Sequence, residues 1–141
     1  MNETIWIEDE SYDIGRVKIP KPFYDQMIKS PLFFIDIPQT ERAKQLVAEY
    51  GSCNKDQLAD SIYRISQRLG GLNVKNAILA LEKDDFYHVA LITLQYYDKG
   101  YLKGMNSRKE RQVIQIPLAT TNPQENAKIV TSFCYKSIAA E

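Results

Sequence analysis

The sequence predicts a helix-rich α/β domain with a small, mainly parallel sheet of about three strands. Three short apolar, β-prone segments, residues 4–7, 32–37 and 113–118, are separated by stretches whose apolar residues recur at helical spacing. Prolines, asparagines and glycines stand where those stretches begin and end. The length of 141 residues, with 44% hydrophobic and 26% charged content, fits one domain over residues 1–141 with a sizeable core. Strands alternating with helices lie side by side in parallel.

In chain order, Thr4-Ile5-Trp6-Ile7 reads as a strand that runs into the acidic cluster Glu8-Asp9-Glu10. Pro20 and Pro22 open a helix whose stripe is Phe23, Met27 and Ile28. After Pro31, the run Leu32-Phe33-Phe34-Ile35-Asp36-Ile37 suits a strand buried on both faces. Thr40 can cap a helix over residues 41–50, which Gly51 ends. Asn54 caps the next helix, with Leu58, Ile62, Ile65 and Leu69 along one side before Gly70-Gly71. Asn73 can cap a short helix carrying Val74, Ala77, Ile78 and Leu81. Asp84 or Asp85 starts a longer one, with Phe86, Val89, Ala90, Thr93, Tyr97 and Tyr101 on one face. Residues 113–118 return to strand composition. Asn122-Pro123-Gln124-Glu125 supplies a cap, a proline at the first helical position and an acidic first turn for a final helix to about Ile138. The polar, basic stretch 106–111 is linker-like, and neither repeats nor low-complexity tracts occur.

Composition excludes disordered and fibrous classes. Eighteen basic and eighteen acidic residues cancel, which removes the long-range field of a strongly basic nucleic-acid binder and leaves room for a local patch. Cys53 and Cys134 are far apart and form no Cys-x-x-Cys pair, so a disulfide scaffold or zinc ribbon is not expected. The first residues lack the basic and apolar regions of a signal peptide, and no apolar run approaches the ~20 residues that span a bilayer. The expectation is a cytoplasmic protein with reduced thiols and no membrane partner.

Several residues are candidates for chemistry. Asp9 and Glu10, at the carboxyl end of a strand, can hold Mg²⁺ through water, because ligands of open α/β sheets bind there. The plainer alternative is that these acids solvate the strand end or cap a helix. Arg64 and Arg68 are four apart, so one helix face can present both to phosphates, and Gly70 allows close approach of the backbone. An ordinary solvated face fits the same spacing. Basic groups also occur at Arg16, Lys18 and Lys21 and at Arg108, Lys109 and Arg111. The second group, near a tyrosine-rich helix, can contact an RNA backbone while a tyrosine stacks on a base. Tyr97 and Tyr101 share a helix face, and a buried hydroxyl there calls for Asp98 or an arginine. His88 has no evident serine or cysteine partner, so it reads as a helix-surface residue. A phosphate-binding loop, Gly-x-x-x-x-Gly-Lys-Ser/Thr, is absent from these 141 residues, since no glycine is followed by lysine.

Trp6-Ile7-Glu8-Asp9-Glu10-Ser11, then Ile14-Gly15-Arg16 and Ile19-Pro20, resemble the tRNA 2-selenouridine synthase family. Pro31-Leu32, Glu41-Arg42, Glu49-Tyr50-Gly51, Arg68-Leu69-Gly70-Gly71-Leu72 and Tyr96-Tyr97-Asp98 with Tyr101 extend the resemblance over about residues 3–130. It is weakest at 103–112 and at the C-terminal end. The resemblance implies a fragment of a P-loop NTPase-like domain, its C-terminal portion. Family members pair that domain with a rhodanese-like domain bearing a catalytic cysteine. They exchange the sulfur of wobble-position 2-thiouridine in tRNA for selenium, through an S-geranylated intermediate, using geranyl diphosphate and selenophosphate.

The phosphate-binding loop and the rhodanese cysteine are both missing from these 141 residues, and neither Cys53 nor Cys134 matches the nucleophile's context. The resemblance therefore implies a transferase fragment, inactive alone, with no catalytic residue of its own and no tightly bound cofactor. Asp9 and Glu10 are expected to position Mg²⁺ or a diphosphate. Arg16, Arg64, Arg68, Gly70, Arg108 and Arg111 are expected to bind phosphate or RNA, and Tyr97, Asp98 and Tyr101 to shape a pocket or stack. Its expected partners are tRNA, the missing rhodanese and P-loop segments, or a second copy across an exposed sheet edge. The competing readings are a non-catalytic tRNA- or partner-binding module and a nucleotide kinase-like remnant.

Overall fold

The structure, a computed structural model, describes residues 5–9, 11–107 and 110–138, with side chains as far as residue 133. A short hairpin, β1 (Asp13–Ile14) and β2 (Val17–Lys18), leads into α1 (Lys21–Met27) and β3 (Leu32–Asp36). Five helices follow: α2 (Gln39–Tyr50), α3 (Lys55–Arg64), α4 (Ser66–Leu69), α5 (Gly71–Glu82) and α6 (Phe86–Ser107). The chain then returns through β4 (Val113–Pro117) to α7 (Pro123–Ile138). Among the described residues the strands form two pairs, β1 antiparallel to β2 and β3 parallel to β4.

The expected three-stranded parallel sheet is therefore corrected to two strands. Residues 5–9 take no regular structure. Side chains hold them instead: Trp6 packs on Phe33 with ring centroids 5.4 Å apart, and Asp9 is tied to Arg111 at 2.7 Å. A strand forms only where backbone groups meet edge to edge, and the Trp6 contact sets this segment over a side-chain face of β3. Thr4 lies outside the described residues. The β1–β2 hairpin was not anticipated, although Ile14-Gly15-Arg16-Val17 carries its signal. Gly15 has φ +62° at the first central position, the backbone that a two-residue hairpin turn requires.

Helix starts follow local chemistry, with two corrections. Asn54 caps α3 by accepting from Asp56 N–H at 2.7 Å, and Asn122 caps α7 by accepting from Gln124 N–H at 3.0 Å. Thr40 does not cap α2. Pro38 occupies that place, because its fixed φ of −51° already matches helix entry. Asn73 does not cap α5 either: its amide donates to Leu69 O at 2.9 Å, within a helix that starts at Gly71. The helix expected through Leu69 is broken at Ile65, which separates α3 from α4.

The core lies in the helical layer. Ile62, Leu69, Ala77 and Leu81 form one buried cluster where α3, α4 and α5 meet, flanked by Phe86, Val89 and Ile92 of α6. Ala43, Ala90 and Leu94 form a second between α2 and α6, where alanines let the helices approach closely. The stripe read along residues 58–69 thus faces the core. Ile116 and Leu118 are buried at the sheet.

A groove between the sheet and helix 6

A groove of about 1080 Å³ runs along β3, walled by residues 5–9 on one side and by Tyr97, Tyr101 and Leu102 of α6 on the other. Asp9, Tyr97, Asp98, Tyr101 and Arg111, all singled out in the sequence, line it together. Tyr101 stacks on Phe34 at 5.9 Å, joining α6 to one face of β3.

Asp98 is the partner of an arginine. Arg42 of α2 grips it with two bonds of 2.7 Å, and also donates from Nε to Ile37 O at 3.1 Å. The bonds to Asp98 raise the Arg42 pKa. Arg42 was quoted only as part of a motif; its spacing of five from Ile37 gave no hint of a partner on α6.

Arg111 is equally committed. Its side chain is 5% exposed and bonds Asp9 at 2.7 Å, Ser30 O at 2.9 Å and Met27 O at 3.3 Å. The guanidinium expected to contact an RNA backbone is turned inward. Asp9 departs from expectation as well. Trp6 lies against Phe33, whereas Asp9 meets the arginine that bonds residues 27 and 30, ahead of β3. Residues 5–9 thus run against β3 and bring Asp9 to the amino ends of the parallel strands, opposite to where the strand-end argument put it. A carboxylate already paired with a buried guanidinium does not suit a divalent cation. Among the described residues no group of three or more His, Cys, Asp or Glu side chains could hold a metal. Glu10 and Arg108 lie outside the described residues.

A second cluster forms the outer rim. Arg68 Nη1 donates to the Tyr96 hydroxyl at 3.4 Å, which raises the Arg68 pKa. Tyr96 sits edge-on to Tyr97, centroids 5.0 Å apart, and Tyr97 is 59% exposed. Tyr96 thus has an arginine partner, one residue from Tyr97, for which such a partner was expected. Arg64 ends α3 and Arg68 lies in α4, so they do not share one helix face. Gly70, at φ +85° and ψ 145°, links α4 to α5. Arg16 is exposed on the hairpin turn, away from the groove lining. Cys53 is an exposed free thiol. Among the described residues no helix is long and apolar enough to cross a membrane.

These features define a helix-rich α/β domain. A family described as "tRNA 2-selenouridine synthase AAA domain" matches residues 1–121, and the chain belongs to it. The chain is 30% identical over 138 positions to a tRNA 2-selenouridine synthase of Aeromonas salmonicida, covering 77% of this chain and 37% of that protein. Synthases of Shewanella woodyi (25% identity, 80% of this chain, 39% of theirs) and Shewanella frigidimarina (29%, 77% and 38%) are similar to it as well. The chain therefore spans under two-fifths of the length of these relatives. No solved structure matches it.

Proposed function

We propose that this chain is a tRNA-contacting part of a 2-selenouridine synthase, the transferase that exchanges sulfur for selenium at wobble 2-thiouridine. Selenophosphate, geranyl diphosphate and the chemical steps belong, in this reading, to the intact enzyme. The observation that carries it is the Arg68–Tyr96–Tyr97 rim. An exposed aromatic ring beside an arginine offers a stacking surface for an unpaired base and a charge for its phosphate. The family relationship supports tRNA as the nucleic acid.

The test is fluorescence-anisotropy titration of the 141-residue protein with a tRNA carrying 2-thiouridine at the wobble position, at two salt concentrations. Tyr97→Ala should weaken binding by about tenfold, within the range of one lost base–aromatic stack. Arg68→Ala should lower the slope of log affinity against log salt by about one. Affinity untouched by both substitutions removes the reading. A non-catalytic binding module is the second reading, favoured by the internal commitment of Asp9 and Arg111.

A further inference from the structure

Asp36, at the carboxyl end of β3, accepts a hydrogen bond of 2.6 Å from Gln115 Nε2 of β4. The parallel register sets Phe34 beside Gln115, so Phe34, Asp36 and Gln115 project from one face of the sheet. That is the face α6 covers, because Tyr101 stacks on Phe34. α6 runs against β3: Tyr101 lies over Phe34, and Asp98, three residues earlier, reaches through Arg42 to Ile37 O beyond the strand. Tyr97, one turn before Tyr101, is therefore level with the strand end that carries Asp36. Asp36 also adds to the rise that Asp98 gives the Arg42 pKa, which places it near that guanidinium.

The Asp36–Gln115 pair is unsaturated. Asp36 uses one carboxylate oxygen and Gln115 one of its two amide hydrogens; among the described residues the other oxygen and the other hydrogen have no partner. An acceptor thus stands beside a donor in the groove that both residues line. Arg42 and Asp98, which line it too, are taken up with each other. An acceptor beside a donor is the complement of a nucleobase edge on which an N–H adjoins a C=O. A uracil-type base carries its ring N–H between two such groups, so either one can take the Gln115 hydrogen. Tyr97 joins the groove to the outer rim, since it lines the groove and meets Tyr96, the partner of Arg68.

We infer that Asp36 and Gln115 read the edge of one extruded uracil-type base. The Asp36 carboxylate accepts the ring N–H, and the Gln115 amide donates to the adjoining carbonyl or thiocarbonyl. The inference rests on the proposed function for the identity of the base and goes beyond it in naming the groups that select that base. A site built this way rejects a base without the N–H, because the carboxylate is then left unpaired. An ordinary cross-strand bond predicts no such selection.

The test compares two anticodon stem-loops by fluorescence anisotropy with the 141-residue protein. One carries 2-thiouridine at the wobble position, the other its N3-methyl derivative. The unmethylated loop should bind at least about tenfold tighter, as for one lost hydrogen bond to a charged group. Asp36→Ala should bind the two loops equally, and Gln115→Ala should weaken binding of the unmethylated loop. Equal affinities in the unaltered protein overturn the inference. A preference that survives both substitutions overturns it in favour of an ordinary cross-strand bond only. If Asp36→Ala does not hold its fold, the Gln115 side-chain amide NMR signal of the unaltered protein decides. It should shift with the unmethylated loop alone, and no shift, or the same shift with both loops, overturns the inference. Binding of neither loop removes this inference and the proposed function together. Binding that depends on Arg68 and Tyr97 without the preference removes only this inference. An Asp36-dependent preference with affinity untouched by Arg68→Ala and Tyr97→Ala removes only the proposed function.

Discussion

Arg42 and Asp98 meet in a two-pronged ion pair that fastens the start of α2 to the middle of α6. Both side chains are about one-third exposed, and Gln39 adds a weaker bond to the same carboxylate at 3.4 Å. The pair lies beside the alanine-lined α2–α6 contact, so it fixes the register of two helices whose apolar surfaces there are small.

Substituting either partner by alanine should destabilise the protein by about 1.5–3 kcal/mol, the range for hydrogen bonds to charged groups. A double-mutant cycle by urea denaturation should return a coupling of about 1 kcal/mol or more. Strict additivity of Arg42→Ala and Asp98→Ala would show that the two side chains act independently.

The Asp9–Arg111 pair should behave differently because it is buried. Asp9→Ala leaves an uncompensated guanidinium and should cost about 3 kcal/mol. Replacing both partners, as Asp9→Leu with Arg111→Met, should cost less than Asp9→Ala alone, since no stranded charge remains. Thermal melts of the three proteins check the order.

Gly70 has open space around it and a backbone that only glycine adopts readily. Gly70→Ala should therefore destabilise by about 1–3 kcal/mol through backbone strain alone. Gly71→Ala, with the same open surroundings and no positive φ, is the control and should be close to neutral. Equal melting temperatures for the two variants would contradict the strain argument.

Asp85 titrates below its ordinary value of 3.8, chiefly because the His88 backbone N–H donates to its carboxylate. A folded pKa below the unfolded one gives stability that is complete above the unfolded value and is lost as pH falls through the folded one. Asp85→Asn should thus lower the melting temperature slightly at about pH 6 and converge with the parent as the pH falls below the folded pKa. A difference that persists at the acid end would mean that the charge is not involved.

The helical layer was legible because its signals are local. Asn54 and Asn122 sit at the starts of their helices, and the stripe through Ile62 and Leu69 reaches the core even though Ile65 breaks the helix that was expected to carry it. The first strand misled because Thr4-Ile5-Trp6-Ile7 has strand composition, whereas pairing depends on which edge lies within reach. No periodicity records that. Asp9 was expected to position Mg²⁺ or a diphosphate, Arg111 to bind phosphate or RNA and Asp98 to shape a pocket, whereas the structure pairs Asp9 with Arg111 and Asp98 with Arg42. Their partners lie on other elements, so spacing could not tell an internal clamp from a ligand site. Tyr96 was passed over for Tyr97 because adjacent tyrosines on a helix differ only in which neighbour they meet.

Leu32 pairs with Val113 across the whole of the intervening helical segment, and that separation orders the events of folding. Closing so long a loop has an entropic cost that is repaid only after the helices within it have packed. The contacts of Ile62, Leu69 and Leu81 are near in sequence and can form first, so the strands meet last. Stopped-flow kinetics should show Leu81→Ala slowing folding and Ile116→Val mainly speeding unfolding. For a chain made on the ribosome, the same order leaves the groove beside β3 unfinished until β4 has emerged.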